Sequence, residues 1–401
     1  RAMIAWKAIR YRGDLSIAMA EAKLPLRYRT PDKQRLEWAR RVVSEMGDRL
    51  PKSKEEIYAR EAILLDEAKE TELVLQAIRI GDIGITGIPN EVYALTGLKQ
   101  KAFSPLRPTI TFDLANGAEG YIPPPEQHPL GGYNTWDART AGLEVMAEPK
   151  IVEVCLQLLE QVSGKTRVDW RQTMGDAAGD VVKAEPAAYW RLDELSGPRA
   201  TDRVGSNDGI YEPGVLFWLE GARNKAFAGD REKNRATHFA GGRMRARIDG
   251  LGDRYSLSMW FWNGMPIEAR GTAGWMFSRG WDHSLGAMGE HLGVAGSKGE
   301  AGRILFSTGD GGEALHGTTR IARWTWHHVA LVRDGASVAV YLDGVKEIDA
   351  RLRRAVSPGV DQIFIGGRND QRDGWEGKLD EVAVFKRALR AEEIRRLSAG
   401  E

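Results

Sequence analysis

The chain has a single cysteine among its 401 residues, so no internal disulfide can brace it. Histidine is nearly as scarce: there are seven, and none precedes position 128. A metal site built mainly on imidazole is therefore excluded from the first third of the chain. There is no run of eighteen apolar residues, which excludes an apolar membrane-spanning helix. The net charge is only +1, which removes the electrostatic case for nucleic acid as the main partner. The chain opens RAMIAWKAIRYRGD, without an initiator methionine or a charged-then-apolar leader, so Arg1 reads as a cut point in a longer protein.

What is present divides into two compositions. Of the 46 glycines, 32 follow Pro186, as do nine of the 13 tryptophans. The second part reads as strands and turns, the first as mixed helix and strand. In the first part, 31–50 and 53–70 carry apolar residues at helical spacing, and Ser53 with Glu56 fits a capping box. Segment 71–89 switches to strand patterning punctuated by glycines, and 108–116 reads as another strand. Asn90 is expected to cap a helix over EVYALTGLKQKA. EPKIVEVCLQLLEQVSG (148–164) is an amphipathic helix with Cys155 on its buried face. The stretch 166–186 has no sustained period and is expected to be a linker between a domain at 1–165 and one at 187–398.

The second part alternates repeatedly, at 255–263, 324–334, 337–344 and 362–367, and Asp343-Gly344 signals a tight hairpin. The end, LRAEEIRRLSAG, reads as a short amphipathic helix. Trp324, Trp326, Val329 and Leu331 are expected to face the core or the sheet. The pair His327-His328 invites a metal reading, but neighbouring strand residues point to opposite faces. The segments AAYWRLDELSG, NDGIY, ATHFAGG, WHHVALVRDGASVAVYLDGVKE and GKLDEVAVFKRALRAEEIRRL occur in order over 187–398. Together they resemble the laminin-G-like family of concanavalin A-like jelly rolls. That resemblance implies an all-β sandwich behind a partial α/β segment, and a glycan or protein ligand outside the cell. Trp281 and Trp375 are the aromatics that could stack on a sugar ring.

Two further segments are chemically suggestive. GDIGITGIPNEVYALTG places Glu91 after a strand-to-turn Gly-Ile-Pro, where active-site residues of α/β folds project, although an acid also suits a first helical turn. LANGAEGYIPPPEQHPLGGY then holds Glu126, His128 and Tyr133 in a proline-locked loop, the mark of a rigid pocket wall. These segments resemble the C-terminal part of the catalytic domain of neutral/alkaline ceramidases, zinc enzymes that hydrolyse the amide of N-acylsphingosine. The resemblance spans roughly 70–150. It implies that Glu91, in Pro89-Asn90-Glu91, is a zinc ligand. It makes Tyr121, opening a loop that in the family runs Tyr-x-Thr-Thr-x-Glu-Glu, a further ligand and oxyanion donor. Tyr133, twelve residues on, falls at the family's second active-site tyrosine. Prolines replace both threonines here, and the family's two zinc-binding histidines lie upstream of this region. The expectation is a fragment of a secreted, periplasmic or cell-surface zinc amidase acting on a lipid amide and inactive by itself. The alternative is a non-catalytic binding protein acting through the sandwich.

Overall fold

A computed structural model describes residues 1–222, 226–229, 232–353 and 359–399. The chain forms two compact units, Arg1–Trp170 and Arg171–Glu401.

The first unit is α/β. Its four-stranded sheet comprises β1 (Ile17–Arg27), β2 (Glu70–Ile80), β3 (Ile83–Gly87) and β5 (Thr109–Phe112), in the order β1-β2-β3-β5. The first three run antiparallel, and β5 joins β3 in parallel. Helix α1 (Ala2–Lys7) precedes them. Helices α2 (Lys33–Met46) and α3 (Lys54–Ala68) pack together through Ala39, Ala59 and Ala62, whose small side chains permit close approach. Ser53 caps α3 as its sequence implies, its Oγ accepting from Glu56 N at 3.2 Å, while Glu56 accepts in return from Lys52 N. Helix α5 (Ala147–Ser163) lays Ile151, Cys155 and Leu159, all fully buried, among the side chains of Leu73, Leu75 and Ala77 from β2. Burial pushes the Cys155 thiol up to about 12, so it behaves as a small apolar residue.

Asn90 does not cap a helix. It is buried, its Nδ2 donates to Glu119 O at 3.0 Å, and α4 begins later, at Ala94–Phe103, without a side-chain cap. Glu91-Val92 instead form a short strand, β4, parallel to β6 (Tyr121–Ile122). The proline loop tightens into a 3₁₀ turn over Pro125–Leu130.

The second unit is a sandwich of two eight-stranded sheets. One contains β7 (Ala188–Trp190), β10 (Val215–Glu220), β11 (Arg235–Ala240) and β13 (Arg254–Asn263). To these it adds β18 (Trp326–Asp334), β19 (Ser337–Leu342), β20 (Val345–Arg351) and β22 (Glu376–Phe385). Its order is β10-β11-β22-β13-β18-β19-β20, with β7 also on β22. The other contains β8 (Arg199–Ala200), β9 (Gly209–Tyr211), β12 (Met244–Arg247) and β14 (Thr272–Gly280). It is completed by β15 (Gly289–Ala295), β16 (Ile304–Ser307), β17 (Ala314–His316) and β21 (Gln362–Ile365), in the order β17-β16-β15-β14-β21-β12-β9-β8. Period-two patterning builds the core between them: Tyr255, Leu257, Met259 and Phe261 of β13 are each fully buried, opposite Phe277, Leu292 and Phe306. Asp343 and Gly344 both take positive φ, as the tight β19–β20 hairpin requires.

The stretch 166–186 is not a featureless connector. It carries helix α6 (Asp176–Lys183), and Gln172 and Thr173 bond to Asn234 and Glu232 of the second unit. Helix α7 (Ala391–Ala399) and α6 share a small apolar cluster, with Ile394 and Leu397 beside Val181. Among the described residues no helix is long and apolar enough to cross a membrane.

Candidate functional site

In the first unit, the turn after β3 is zipped to the segment after β5. Ile88 N donates to Phe112 O, Glu119 N to Pro89 O, and Glu91 N to Gly120 O, at 2.9, 2.7 and 3.0 Å. Gly120 has φ +79, and a Cβ there would meet Thr140 O at 2.4 Å, so only glycine lets the chain pass. This stitching puts Glu91 directly opposite Tyr121 in the β4–β6 pair. The Tyr133 ring meets that of Tyr121 edge-on, with centroids 5.3 Å apart. The three residues named from the sequence are therefore brought together. Glu91 and Tyr133 are exposed and Tyr121 is half-buried, so the cluster opens outward. The Glu91 carboxylate beside it raises the Tyr121 phenol above its ordinary value.

A fourth residue, Tyr93, joins them. Its hydroxyl accepts from Asn134 Nδ2 at 2.5 Å, and burial raises its pKa. Two residues beyond Glu91 on an extended segment, it was findable by period-two spacing. Glu126 and His128 face other neighbours. Glu126 lies near the buried Lys99–Glu148 pair and is raised by burial; His128 lies near Arg29 and Asp137 and is lowered by burial. As zinc ligands, Glu91 and Tyr121 supply one carboxylate and one phenol. Among the described residues no three His, Cys, Asp or Glu side chains are grouped to hold a metal. Catalytic zinc takes three or four ligands, so the described residues do not by themselves fit it.

The second unit gathers a different constellation where strands pass from one sheet to the other. The β9–β10, β11–β12 and β21–β22 connections enclose a cleft of about 280 Å³, lined by Glu212, Arg243, Gln371 and backbone glycines. Gly214, at φ +97, lies so close to Gly242 that a Cβ would come within 2.7 Å of its nitrogen. Arg243 is buried and spends every branch of its guanidinium: Glu212 at 2.7 Å, Asp282 at 2.7 Å, and the carbonyls of Arg368 and Asn369 at 2.9 and 3.0 Å. Its plane lies 4.2 Å from the Phe364 ring centre. Arg368 is held likewise by Asp310 and Asp370. These arginines pin their carboxylate partners, of which Glu212 lines the cleft. Beside them Trp281 is 51% exposed, its carbonyl tied to Asn369 Nδ2.

Trp375, the other aromatic named for sugar stacking, is fully buried with its ring edge-on to Phe261, so it cannot serve. Trp324, expected to face the core or the sheet, is 61% exposed, whereas Val329 and Leu331 are buried. His327 and His328 diverge: His327 bonds Asp343 at 2.7 Å, and His328 is buried against Ser258 at 2.8 Å. The cleft itself escaped sequence reasoning. Its signal is Gly-Gly-Arg, which stands at both 241–243 and 366–368.

Comparison with known proteins agrees with the sandwich. Residues 246–395 match the family model described as the concanavalin A-like lectin/glucanases superfamily. That match lies within the second unit and is consistent with its two-sheet, jelly-roll-like sandwich. No curated protein matches the chain. Among solved structures, the chain is similar to domain 4 of AbnA, an extracellular arabinanase from Geobacillus stearothermophilus in complex with arabinotriose. They share 20% identity over 53% of this chain and 98% of that one, with a TM-score of 0.39. Trypanosoma rangeli sialidase is similar at 16% identity over 53% of this chain and 32% of its own, with a TM-score of 0.40. The ligand-binding domain of botulinum neurotoxin serotype D, in complex with N-acetylneuraminic acid, is similar at 12% identity. It covers 55% of this chain and 53% of that one, with a TM-score of 0.40.

Proposed function

We propose that the chain acts outside the cell as a non-catalytic carbohydrate-binding module, taking a sugar residue at the sandwich cleft. The observation that carries this reading is a cleft where buried Arg243 fixes the Glu212 and Asp282 carboxylates, with the half-exposed Trp281 next to Asp282 in the chain. A sugar offers an apolar ring face and a rim of hydroxyls, and such a site matches both. The lectin and glucanase description of the matching family supports it. The test is calorimetric titration of the full chain with a panel of neutral and acidic oligosaccharides. Trp281→Ala should weaken the best ligand at least about tenfold, or about 1.4 kcal/mol. A chain that binds none of them, or a Trp281→Ala variant that binds unchanged, refutes the reading.

A second reading is favoured by the convergence of Glu91, Tyr121 and Tyr133. In it, the first unit carries part of a ceramidase-like amidase site for a lipid amide, and its zinc takes its remaining ligands from outside this chain. The phenols of Tyr121 and Tyr133 would donate hydrogen bonds to the oxyanion that develops on the amide carbonyl.

A further inference from the structure

A second constellation in the sandwich involves none of the residues that line the sugar cleft. Thr325 stands just before β18, two residues from His327. Its Oγ1 lies 2.8 Å from His327 Nε2, and His327 Nδ1 lies 2.7 Å from Asp343 Oδ2. Hydroxyl, imidazole and carboxylate therefore form one hydrogen-bonded line.

The carboxylate is fixed from behind. Asp343 sits at φ 49 in the β19–β20 turn, its N–H donates to His328 O at 2.9 Å, and its Oδ1 accepts from His328 N at 2.8 Å. This leaves Oδ2 turned to His327. Burial raises the Asp343 carboxyl, but the bonds from His327 and His328 outweigh it and hold its pKa below the ordinary value. The imidazole is backed by the buried Phe261, with ring centres 5.7 Å apart, and its side chain is 20% exposed. Thr325 itself is exposed. An accessible hydroxyl on a sheltered, oriented imidazole is the arrangement of an activated nucleophile.

The proton positions follow from the partners. An ionised carboxylate can only accept, so Nδ1 carries the proton of the neutral ring. Nε2 is then the acceptor, and the Thr325 hydroxyl donates to it. When the ring becomes imidazolium, Nε2 donates instead and the hydroxyl turns to Ala322 O, 2.7 Å away. The threonine oxygen has a partner in both states, and its proton has a path to Nε2.

The residue before it is strained. Trp324 takes φ 66, which a bulky side chain rarely adopts, and its N–H is tied to Asn263 O at 2.9 Å. The exposed indole lies 4.3 Å, at its ring centre, from the Arg323 guanidinium, and Arg323 Nε donates to Gly264 O at 2.8 Å. An apolar surface thus adjoins the hydroxyl in the chain.

We propose that Thr325 is a modification site, an acyl acceptor activated by His327 and Asp343 that takes the acyl group of an activated carboxylic ester. Oγ1 attacks the carbonyl carbon while its proton passes to His327 Nε2, and Asp343 stabilises the imidazolium. The Oγ1–C bond forms, the bond from the carbonyl carbon to the leaving oxygen breaks, and the imidazolium gives its proton to that oxygen. The products are an ester on Thr325 and an alcohol. The transfer is stoichiometric, one group per chain, and the exposed Trp324 indole favours an apolar acyl group.

The test incubates the full chain with p-nitrophenyl acetate and locates acetyl groups by peptide mass spectrometry. One acetyl ester should form on Thr325, while other exposed threonines stay unlabelled. Thr325→Ser should keep the label at that position, and Thr325→Val should lose it. His327→Gln and Asp343→Asn, each checked for folding by circular dichroism, should slow labelling at least about tenfold. The wild-type rate should rise with pH and level off once the imidazole is neutral. His327→Gln should lose that plateau, which a merely structural histidine would not change. No acetyl on wild-type Thr325, or labelling as fast in folded His327→Gln, would overturn the proposal. Should a variant not fold, the position of the wild-type label and its pH profile decide alone.

Discussion

His328 makes the sandwich sensitive to acid by an amount that can be worked out in advance. Its ring is buried between Ser258, whose Oγ lies 2.8 Å from Nε2, and the indole of Trp260, while Nδ1 has no partner. Burial lowers its pKa from 6.5 to about 4, with Asp343 opposing weakly. A folded-state value below the unfolded one means that the unfolded chain takes up the proton first. Stability from this group is complete above about pH 6.5 and is lost as pH falls toward about 4. The loss amounts to about 2 kcal/mol by pH 5 and about 3 kcal/mol by pH 4. His291, lowered to about 4 by its own burial, adds a loss of the same sign; Glu194, raised to about 7, and Asp380 oppose it. The His328→Gln variant isolates the term, because the other groups are common to both proteins. Chemical unfolding followed by tryptophan fluorescence is measured for wild type and variant at pH 7 and pH 5. The wild type should lose about 2 kcal/mol more than the variant over that interval. Parallel pH dependences would show that His328 takes up its proton as readily in the folded protein as in the unfolded chain, and would refute a depressed folded-state pKa.

Two other perturbations have definite outcomes. Glu290 and Arg333 pair at 2.7 Å with 1% exposure each, and Tyr255 donates to the same carboxylate. Glu290→Gln leaves the guanidinium unmatched in the core and should cost about 3–5 kcal/mol, read as a large fall in melting temperature. For the amidase reading, a protein that includes upstream zinc ligands should lose bound zinc with Glu91→Ala. With Tyr133→Phe it should keep zinc and turn over at least about tenfold more slowly, as loss of an oxyanion donor does. Full amidase activity in both variants would remove the site.

Local chemistry was legible in the sequence wherever the governing interaction is short. The β18, β19 and β21 strands lie where strand patterning placed them, the Asp343-Gly344 turn follows from residues that accept positive φ, and the Ser53 cap needs only Glu56 three residues on. Glu91, Tyr121 and Tyr133 were named from motif resemblance; the β4–β6 pair sets Glu91 opposite Tyr121, and the two tyrosine rings meet edge-on. Distance along the chain defeated the rest. Asn90-Glu91 looks like a helix start, but pairing with a strand thirty positions later overrides that local preference. Strand β1 holds three alanines and a single β-branched residue, Ile17, and it is a strand because eleven residues of β2 pair with it. Trp281 and Trp375 are the same residue type in similar glycine-rich surroundings, yet one is half-exposed and the other lies against Phe261. Periodicity tells which face a side chain takes; only the packing of two sheets decides whether that face is covered. The Arg191–Glu381 pair and the carboxylates around it, joined across 190 positions, exist only once that packing is complete.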